Sequence, residues 1–337
     1  MKRTLLKIGL LLGIVAAALG IWALMRTPFA PPPRRKTLKI ACPSHSFTGY
    51  TTFVAFEKGY FRAEGLDVEL LHDYSNGKAT LQALMAGDVE LATSSETPFM
   101  HAVLAGGHLY ALAATITAEK HLAIVAWKDR GISSGQDLKG KTIGVTLGSN
   151  GEYFLDTVLL LHGLTRGDIR IVNLNPARMA AALHQHEVDA IAAWNPQMYQ
   201  ARKALGDQAL TLYAEGLYTP AFLVAARQAY VHAHPGIATR IIRALVRATQ
   251  DIRNNPADTR RIVAPYLEID ESLFAEFQAA YYFRIALDQA LLLTLEHQTE
   301  WAVARHLTPP RPAPNFLEFL YPDALDAVKP ENVTLIR

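Results

Sequence analysis

The sequence predicts an α/β protein of two lobes, each a doubly wound sheet flanked by helices, with a ligand cleft between the lobes. The predicted elements between residues 38 and 93 follow the order β-α-β-α-β, and this order returns between residues 143 and 193. ALMAGDVELATSSETP at 83–98 and ALHQHEVDAIAAWNP at 182–196 both lead from a helix end through a short apolar segment to a polar tip and a proline. Two such units in one chain direct their strand tips toward one cleft.

In the first lobe, apolar segments of strand length alternate with helix-length segments that end at glycine. Gly65 follows the first helix, and Gly87 stops the second. Thr97 is placed to cap the next helix and Pro98 to open it. The predicted elements are strand Leu38–Ala41, helix Tyr50–Phe61, strand Val68–Leu71, helix Lys78–Ala86, strand Val89–Thr93, helix Phe99–Ala105 and strand Tyr110–Ile116.

The second lobe repeats this order, and a mostly helical region follows it. Apolar residues spaced by three and four positions predict the late helices. We expect the proline-broken tail to pack back on a lobe. The predicted elements are strand His121–Lys128, strand Ile143–Val145, helix Glu152–His162, strand Ile169–Asn173, helix Ala177–His184, strand Val188–Ala193, helix Tyr199–Leu205, strand Thr211–Tyr213, strand or crossover Tyr218–Ala226, and helices Pro235–Asn254, Ala257–Tyr266, Glu271–Phe283 and Gln289–His306.

Composition excludes several classes of protein. The chain has 337 residues, half of them hydrophobic, and a net charge of +2, too near neutral to indicate nucleic-acid binding. Its one cysteine, Cys42, allows neither an intrachain disulfide nor a cysteine-rich metal site. His184 and His186 would point to different faces of a helix, and no HExxH or dinucleotide motif is present. We therefore expect no metal and no cofactor.

Residues 1–25 predict an export signal or membrane anchor. Lys2, Arg3 and Lys7 precede Ile8–Met25, an uncharged stretch of 18 residues at the short end of a membrane-spanning length. The stretch does not end in small residues, so we expect an uncleaved helix in the inner membrane. The alternative is a cleaved signal and a soluble periplasmic protein. Residues 26–37 form a Pro/Arg-rich linker.

Small polar side chains lie where predicted strands end and helices begin. Backbone N–H groups and the helix dipole favour an anion at such places. The alternative is that each Ser or Thr only caps its helix. Aromatic residues at the tips would enclose a ligand or pack in the core. The candidate ligand-binding residues are Ser46, Phe47, Thr48, Tyr50, Ser95, Glu96, Thr97, Thr115, Ser149, Asn150, Trp194, Asn195 and Tyr218.

Glu96 is the informative member of this set. A carboxylate beside anion-binding tips would repel a simple anion but would pair with an amine or an amidine-like ring. This favours an aminosulfonate or an aminopyrimidine over nitrate. The alternative is a solvated glutamate near a helix start, where negative charge is favourable.

Several segments resemble the bacterial solute-binding proteins for sulfonates, taurine, nitrate and thiamine-type pyrimidines. They are AFEKGYF at 55–61, EGLDVE at 64–69, AGDVELA at 86–92, DLKGKTIGV at 137–145 and WNP at 194–196. The resemblance covers about 38–335 and implies a periplasmic-binding-protein fold of type II that closes like a hinge on a small ligand. It also implies delivery of the solute to the permease subunits of an ABC transporter. We expect lobes of 38–117 plus 219–337 and of 118–218, and a monomer.

Three functions remain open at this point. The first is a transport receptor that binds a sulfonate- or taurine-like solute, or a thiamine-type pyrimidine or other heterocycle, and performs no chemistry. The second is a pyrimidine-synthase-like enzyme, which the export signal and the single cysteine disfavour. The third is a membrane-tethered sensor lobe. We expect the first, with no nucleic-acid partner and contact with the membrane through the N-terminal segment.

Overall fold

The computed structural model describes residues 37–213, 216–310 and 312–336. The predicted anchor at 1–25 and residues 26–36 of the linker lie outside the described residues. Within those ranges, no helix is long and apolar enough to cross a membrane.

The described strands form two sheets, one of seven strands and one of five. The order is β12-β11-β4-β10-β3-β1-β2 in the first sheet and β7-β6-β8-β5-β9 in the second. The strands are β1 Leu38–Pro43, β2 Val68–Tyr74, β3 Leu91–Ser95, β4 Leu109–Ala118, β5 Leu122–Trp127, β6 Thr142–Val145, β7 Arg170–Asn173, β8 Ala190–Trp194, β9 Ala209–Leu212, β10 Ala221–Arg227, β11 Tyr281–Asp288 and β12 Val333–Thr334.

Each sheet has a parallel part that carries the polar tips. In the first sheet β1 pairs in parallel with β2 and β3, and in the second β6 pairs in parallel with β7 and β8. The antiparallel strands β10 and β5 lie next to β3 and β8. Because parallel strands end at one edge of a sheet, the residues that follow β1, β2 and β3 meet there, as do those that follow β6, β7 and β8.

Helices cover both sheets, and each sheet has its own apolar core. The chain crosses from the seven-stranded half to the five-stranded half between β4 and β5 and returns between β9 and β10. The helices are α1 Tyr50–Glu57, α2 Tyr60–Ala63, α3 Gly77–Ala86, α4 Glu96–Leu104, α5 Asn150–Leu161, α6 Met179–His184, α7 Gln197–Leu205, α8 Gln228–Ala233, α9 Ile237–Asn254, α10 Pro256–Leu267, α11 Glu271–Gln278, α12 Gln289–Ala304 and α13 Asp323–Asp326.

Strand β11 corrects the prediction of one helix over Glu271–Phe283. The helix ends at Gln278, and the chain then enters a strand that pairs antiparallel with β4. Tyr281, Tyr282 and Phe283 are aromatic residues that favour strands, and burial alternates from Tyr281 to Arg284 as expected for a sheet face.

Two helix boundaries also differ from the prediction. The helix expected over Tyr50–Phe61 is interrupted because Gly59 adopts a left-handed φ of 69°. The helix expected to start near Phe99 begins at Glu96, with Ser95 as its N-cap residue. Pro98 lies in the first turn, where a proline removes no intrahelical hydrogen bond.

The C-terminal tail packs on the seven-stranded sheet, as predicted. Tyr321 donates its backbone N–H to the carbonyl of Ala111 in β4 at 3.0 Å. Leu320 forms an isolated parallel bridge to the same residue. The tail thus adds backbone contacts to β4.

Candidate functional site

A cleft lies where the polar tips of the two sheets face each other. It holds about 520 Å³ of empty space, part of it open to solvent. The seven-stranded half contributes small polar residues that follow its parallel strands, namely Ser44, Ser46, Thr48, Ser75, Asn76 and Ser95. The five-stranded half contributes Thr146, Ser149, Asn150 and Gln197. The cleft is therefore lined by hydroxyl and amide groups from both halves.

Three helices, α3, α4 and α5, begin at this lining. The Asn76 side chain caps α3 by accepting from the N–H of Ala79 at 3.1 Å, and Ser149 caps α5 by accepting from Gly151 at 3.1 Å. Ser95 is the N-cap residue of α4, but its side chain makes no capping hydrogen bond. The first-turn N–H groups of such helices, together with the helix dipole, favour a negative charge.

Lys78 supplies a positive charge in the cleft. It is the second residue of α3, and its Nζ lies 3.7 Å from the position that a Cβ on Gly148 would occupy. Gly148 belongs to the loop after β6, so Lys78 reaches across to the other half. Among the described residues, Lys78 has no ion-pair partner, and the lining of the cleft contains no Asp or Glu. The electrostatics of the lining favour an anion.

His121 lies in the connection that leads from β4 into β5 and also lines the cleft. Its Nδ1 is 2.7 Å from the hydroxyl of Tyr281, and its ring packs edge-on against Phe222 with centroids 5.0 Å apart. Burial lowers the pKa of His121 to about 3, so the ring is neutral at physiological pH. A side-chain hydrogen bond from Asn195 reaches the same Tyr281 hydroxyl. The imidazole is thus a neutral polar group of the lining.

An apolar surface adjoins these polar groups. Trp194, at the end of β8, and Phe222, in β10, line the cleft from opposite halves. Leu147 and Pro176 add further apolar surface. This arrangement suits a ligand with a negatively charged group and a hydrocarbon or ring portion.

Glu96 is buried away from this lining. Its carboxylate accepts hydrogen bonds from the Tyr218 hydroxyl, from the N–H of Ala221 at 2.9 Å and from Nε2 of Gln298 at 3.0 Å. Burial raises the pKa of Glu96 to about 7, and the hydrogen bond from Gln298 partly opposes this rise. These hydrogen bonds hold the Glu96 carboxylate inside the fold. It therefore does not line the cleft, where it could bind a ligand amine.

The structure distributes the candidate ligand-binding residues over four environments. Phe47, Tyr50 and Thr115 are fully buried, with Phe47 stacked on Tyr281 at 4.5 Å between ring centroids and Thr115 donating to the carbonyl of Phe222. Glu96, Thr97 and Tyr218 form a separate polar cluster, and Asn195 lies behind the cleft against Tyr281. The candidates that line the cleft are Ser46, Thr48, Ser95, Ser149, Asn150 and Trp194. Their roles in binding remain predictions.

Sequence reasoning missed four cleft residues that carry useful chemistry: Asn76, Lys78, His121 and Gln197. Asn76 and Lys78 follow the end of β2, and Ser95 ends β3, so the rule used for the other tips would have found them. Gln197 similarly follows the tip of β8. No pattern in the sequence distinguishes His121, because its place depends on the crossover between the sheets. Among the described residues, no three His, Cys, Asp or Glu side chains are grouped as metal ligands.

Solved structures with this fold include a binding protein and an enzyme. The alkanesulfonate-binding protein SsuA from Xanthomonas axonopodis pv. citri, bound to MOPS, superimposes with a TM-score of 0.75 at 22% identity, covering 87% of this chain and 99% of that protein. The desulfurization enzyme DSZB gives a TM-score of 0.63 at 18% identity, covering 87% and 98%. At these identities the likeness shows the shared fold of type II periplasmic binding proteins, as predicted.

Two of the curated relatives are named as binding proteins. One from Brucella abortus (strain 2308) is 26% identical over 232 residues, which is 66% of this chain and 68% of the relative. An aliphatic sulfonates-binding protein of Escherichia coli (strain K12) is 30% identical over 155 residues, which is 46% and 49% of the two chains. The model of the NMT1/THI5-like family matches residues 46–259, more than half of the chain. The resemblance that the sequence motifs indicated is confirmed, and the chain belongs to the NMT1/THI5-like family.

Proposed function

We propose that this chain is the extracytoplasmic solute-binding component of an ABC importer and that it captures a small organic anion of the sulfonate class. The observation that carries the proposal is the composition of the cleft. Among the described lining residues, Lys78 is the one charged side chain and no carboxylate is present, and hydroxyl and amide groups make up the rest of the polar lining. A sulfonate has one negative charge and three acceptor oxygens, which such donors satisfy.

The two halves would bind different parts of one ligand. The tips after β1, β2 and β3 present Lys78 and several hydroxyls, and the tips after β6 and β8 present Ser149 and Trp194. A ligand held between them links the halves, which favours a closed arrangement of lobes 38–117 plus 219–337 and 118–218. Closure on a solute is the change that permease subunits in the membrane would recognise. A monomer tethered by its N-terminal segment suits this role.

The cleft gives little support to an enzyme. Cys42, the single cysteine of the chain, is fully buried, and burial raises its pKa to about 12, so it is not an activated nucleophile. The imidazole of His121 has no carboxylate beside it among the lining residues. General acid–base or covalent catalysis would need such groups. We therefore propose binding without chemistry, although DSZB shows that the fold also supports an enzyme.

A heterocycle is the second candidate ligand, because Trp194 and Phe222 offer ring surfaces in the cleft. The two ligand classes differ in their dependence on charge. A sulfonate needs Lys78, and its affinity should fall as salt is added. A neutral pyrimidine would bind by stacking and would depend on Trp194 instead.

The test is ligand binding to the full-length protein in mild detergent, by thermal shift and calorimetry. The panel contains alkane- and arylsulfonates, taurine, nitrate, carboxylates, hydroxymethylpyrimidine with its formylamino precursor, and riboflavin. A ligand at a hundred times its dissociation constant should stabilise the protein by about 2.7 kcal/mol. Lys78→Gln should weaken sulfonate binding about tenfold or more.

The matched control is Lys139→Gln, because Lys139 is 71% exposed on the five-stranded half and lies outside the cleft. It should leave sulfonate affinity unchanged. Preferential binding of the pyrimidines, unaffected by Lys78→Gln, would replace the sulfonate proposal with the heterocycle. If no solute binds the folded protein, the transport proposal fails and a tethered partner-binding lobe becomes the better account.

A further inference from the structure

Gln197 occupies an unusual position in the cleft. It is the first residue of α7, directly after the tip of β8, and it is 3% exposed while lining the cleft. Its Nε2 donates to the backbone carbonyl of His45, in the other half, at 3.3 Å. A carbonyl accepts and never donates, so this contact sets the orientation of the amide. The other polar atom of the side chain is the amide oxygen, which this contact does not use.

That oxygen, Oε1, is buried and has no hydrogen-bond partner among the described residues. A buried acceptor without a donor is unfavourable, and proteins keep such groups where a ligand or a bound water satisfies them. The oxygens of a sulfonate cannot do so, because they are acceptors themselves. On the ligand itself, an N–H or O–H group elsewhere on the molecule would pair with Oε1.

We infer that Gln197 is a specificity-determining residue, and that its Oε1 accepts a hydrogen bond from an ammonium or hydroxyl group on the ligand. The inference rests on the proposed function and narrows it. Lys78 and the hydroxyl groups select the anion, and Gln197 selects sulfonates that also carry a donor. The cleft then prefers amino- or hydroxysulfonates to plain alkanesulfonates.

This assignment differs from the one that the sequence favoured. There the ligand amine was expected to pair with Glu96, whose carboxylate is instead held by Tyr218, Ala221 and Gln298. Gln197 provides the acceptor without a charge. It therefore attracts a donor while adding no full negative charge beside the sulfonate, and it accepts from a hydroxyl as well as from an ammonium group.

Three ligands of matched size test the inference. Taurine, 2-hydroxyethanesulfonate and propane-1-sulfonate carry an ammonium, a hydroxyl and a methyl group at the same position. Calorimetry on the full-length protein in mild detergent should show at least one donor-bearing ligand binding about tenfold more tightly than propane-1-sulfonate. Equal affinities for all three would overturn the inference while leaving the sulfonate-binding function intact. Binding of none would overturn the function and the inference together.

The variant Gln197→Met keeps the length of the side chain and removes the amide. It also removes the contact with His45, which weakens all three ligands alike, so the informative quantity is the ratio of affinities. The preference should fall to within about twofold. The control Gln200→Met, on the same helix but outside the cleft lining, should keep the wild-type preference. A preference that survives in Gln197→Met would overturn the assignment to Gln197. If that variant does not fold, equal affinities of the wild-type protein for the three ligands would still overturn the inference.

Discussion

Tyr218 donates its phenolic hydrogen to the carboxylate of Glu96, and this bond joins a crossover between the two sheets to the first residue of α4. Tyr218 lies in the connection that returns from β9 to β10, and its ring also packs edge-on against Tyr153 of α5, with centroids 5.0 Å apart. Ala221, at the start of β10, donates its N–H to the same carboxylate. A single buried acid therefore fixes the end of the crossover, where any hinge motion between the sheets would act.

The first prediction concerns the pH dependence of stability. Burial raises the pKa of Glu96 from 4.5 to about 7, so the folded state holds its proton more tightly than the unfolded state does. The stabilisation is complete below about pH 4.5 and is lost as pH rises through about 7. It is on the order of 3 kcal/mol. Glu96→Gln should remove this component from the pH dependence of the unfolding free energy.

The measurement is urea denaturation of wild type and Glu96→Gln at half-unit steps from pH 4.5 to 8. The difference between the two unfolding free energies should change across this range and level off above about pH 7. The control Tyr282→Phe removes an exposed hydroxyl that contacts Glu119 and leaves Glu96 untouched. A difference between wild type and Glu96→Gln that stays constant with pH would show that Glu96 titrates normally.

The second prediction concerns His121, whose effect has the opposite sign. Burial lowers its pKa from 6.5 to about 3, so the unfolded chain takes up this proton first as the solution is acidified. Its contribution to stability is present above about pH 6.5 and is lost as pH falls toward 3. Between pH 4.5 and 6.5, the His121 contribution to the unfolding free energy rises with pH while the Glu96 contribution falls. The unfolding free energy of the wild type should therefore change less with pH than that of Glu96→Gln.

NMR of the imidazole carbon-bound protons tests this directly. The His121 resonances, assigned with His121→Gln, should not shift between pH 8 and 5 in the folded protein. In denaturant the same residue should titrate near 6.5, as an exposed histidine does. A folded-state titration midpoint near 6.5 would contradict the neutral imidazole that we place in the cleft.

The sequence was sufficient for the parts of the fold that depend on local patterns. The repeated β-α-β-α-β order located the parallel strands, and the motifs identified the family. The sequence did not predict strand β11, because the strand forms by pairing with β4, more than 160 positions earlier in the chain. The helical spacing of the residues before it extended the predicted helix into the strand. Tertiary pairing of this kind leaves little local signal.

The site was predicted at the level of strand tips but not of individual side chains. Ser95 and Glu96 are adjacent at the end of β3, yet Ser95 lines the cleft while Glu96 turns into a buried cluster. Phe47 and Ser46 diverge in the same way, with Phe47 buried against Tyr281. Which neighbour faces the ligand depends on rotamers and on the crossover geometry, and these depend on residues distant in sequence.

The third prediction separates a binding protein from an enzyme. Burial raises the pKa of the Cys42 thiol to about 12, so a thiol reagent should reach it only when the protein opens. Labelling of the native protein should be slow, should accelerate in denaturant, and should slow further with bound ligand. Cys42→Ser should retain ligand affinity within about twofold. Rapid labelling of the native protein together with loss of binding in Cys42→Ser would instead support a reactive cysteine at the site.

The fourth prediction concerns a hydrogen bond between the two halves. The indole of Trp301 in α12 donates to Asp156 of α5 at 2.7 Å, and these helices belong to different cores. Arg305 lies 3.4 Å from the same carboxylate and Arg166 lies closer, at 2.8 Å. Trp301→Phe removes one donor and keeps an aromatic ring. It should lower stability by about 1 kcal/mol and weaken ligand binding severalfold, because a bond between halves contributes to the ligand-bound arrangement.

Trp127→Phe provides the matched control. The indole of Trp127 donates to the carbonyl of Leu183 at 2.8 Å, and both residues belong to the five-stranded half. This variant should lose similar stability in urea denaturation without a change in ligand affinity, because its hydrogen bond does not join the halves. Calorimetry on both variants gives the comparison. If the two substitutions alter affinity equally, the bond to Asp156 only stabilises the fold, and coupling between ligand and closure must reside in the cleft residues themselves.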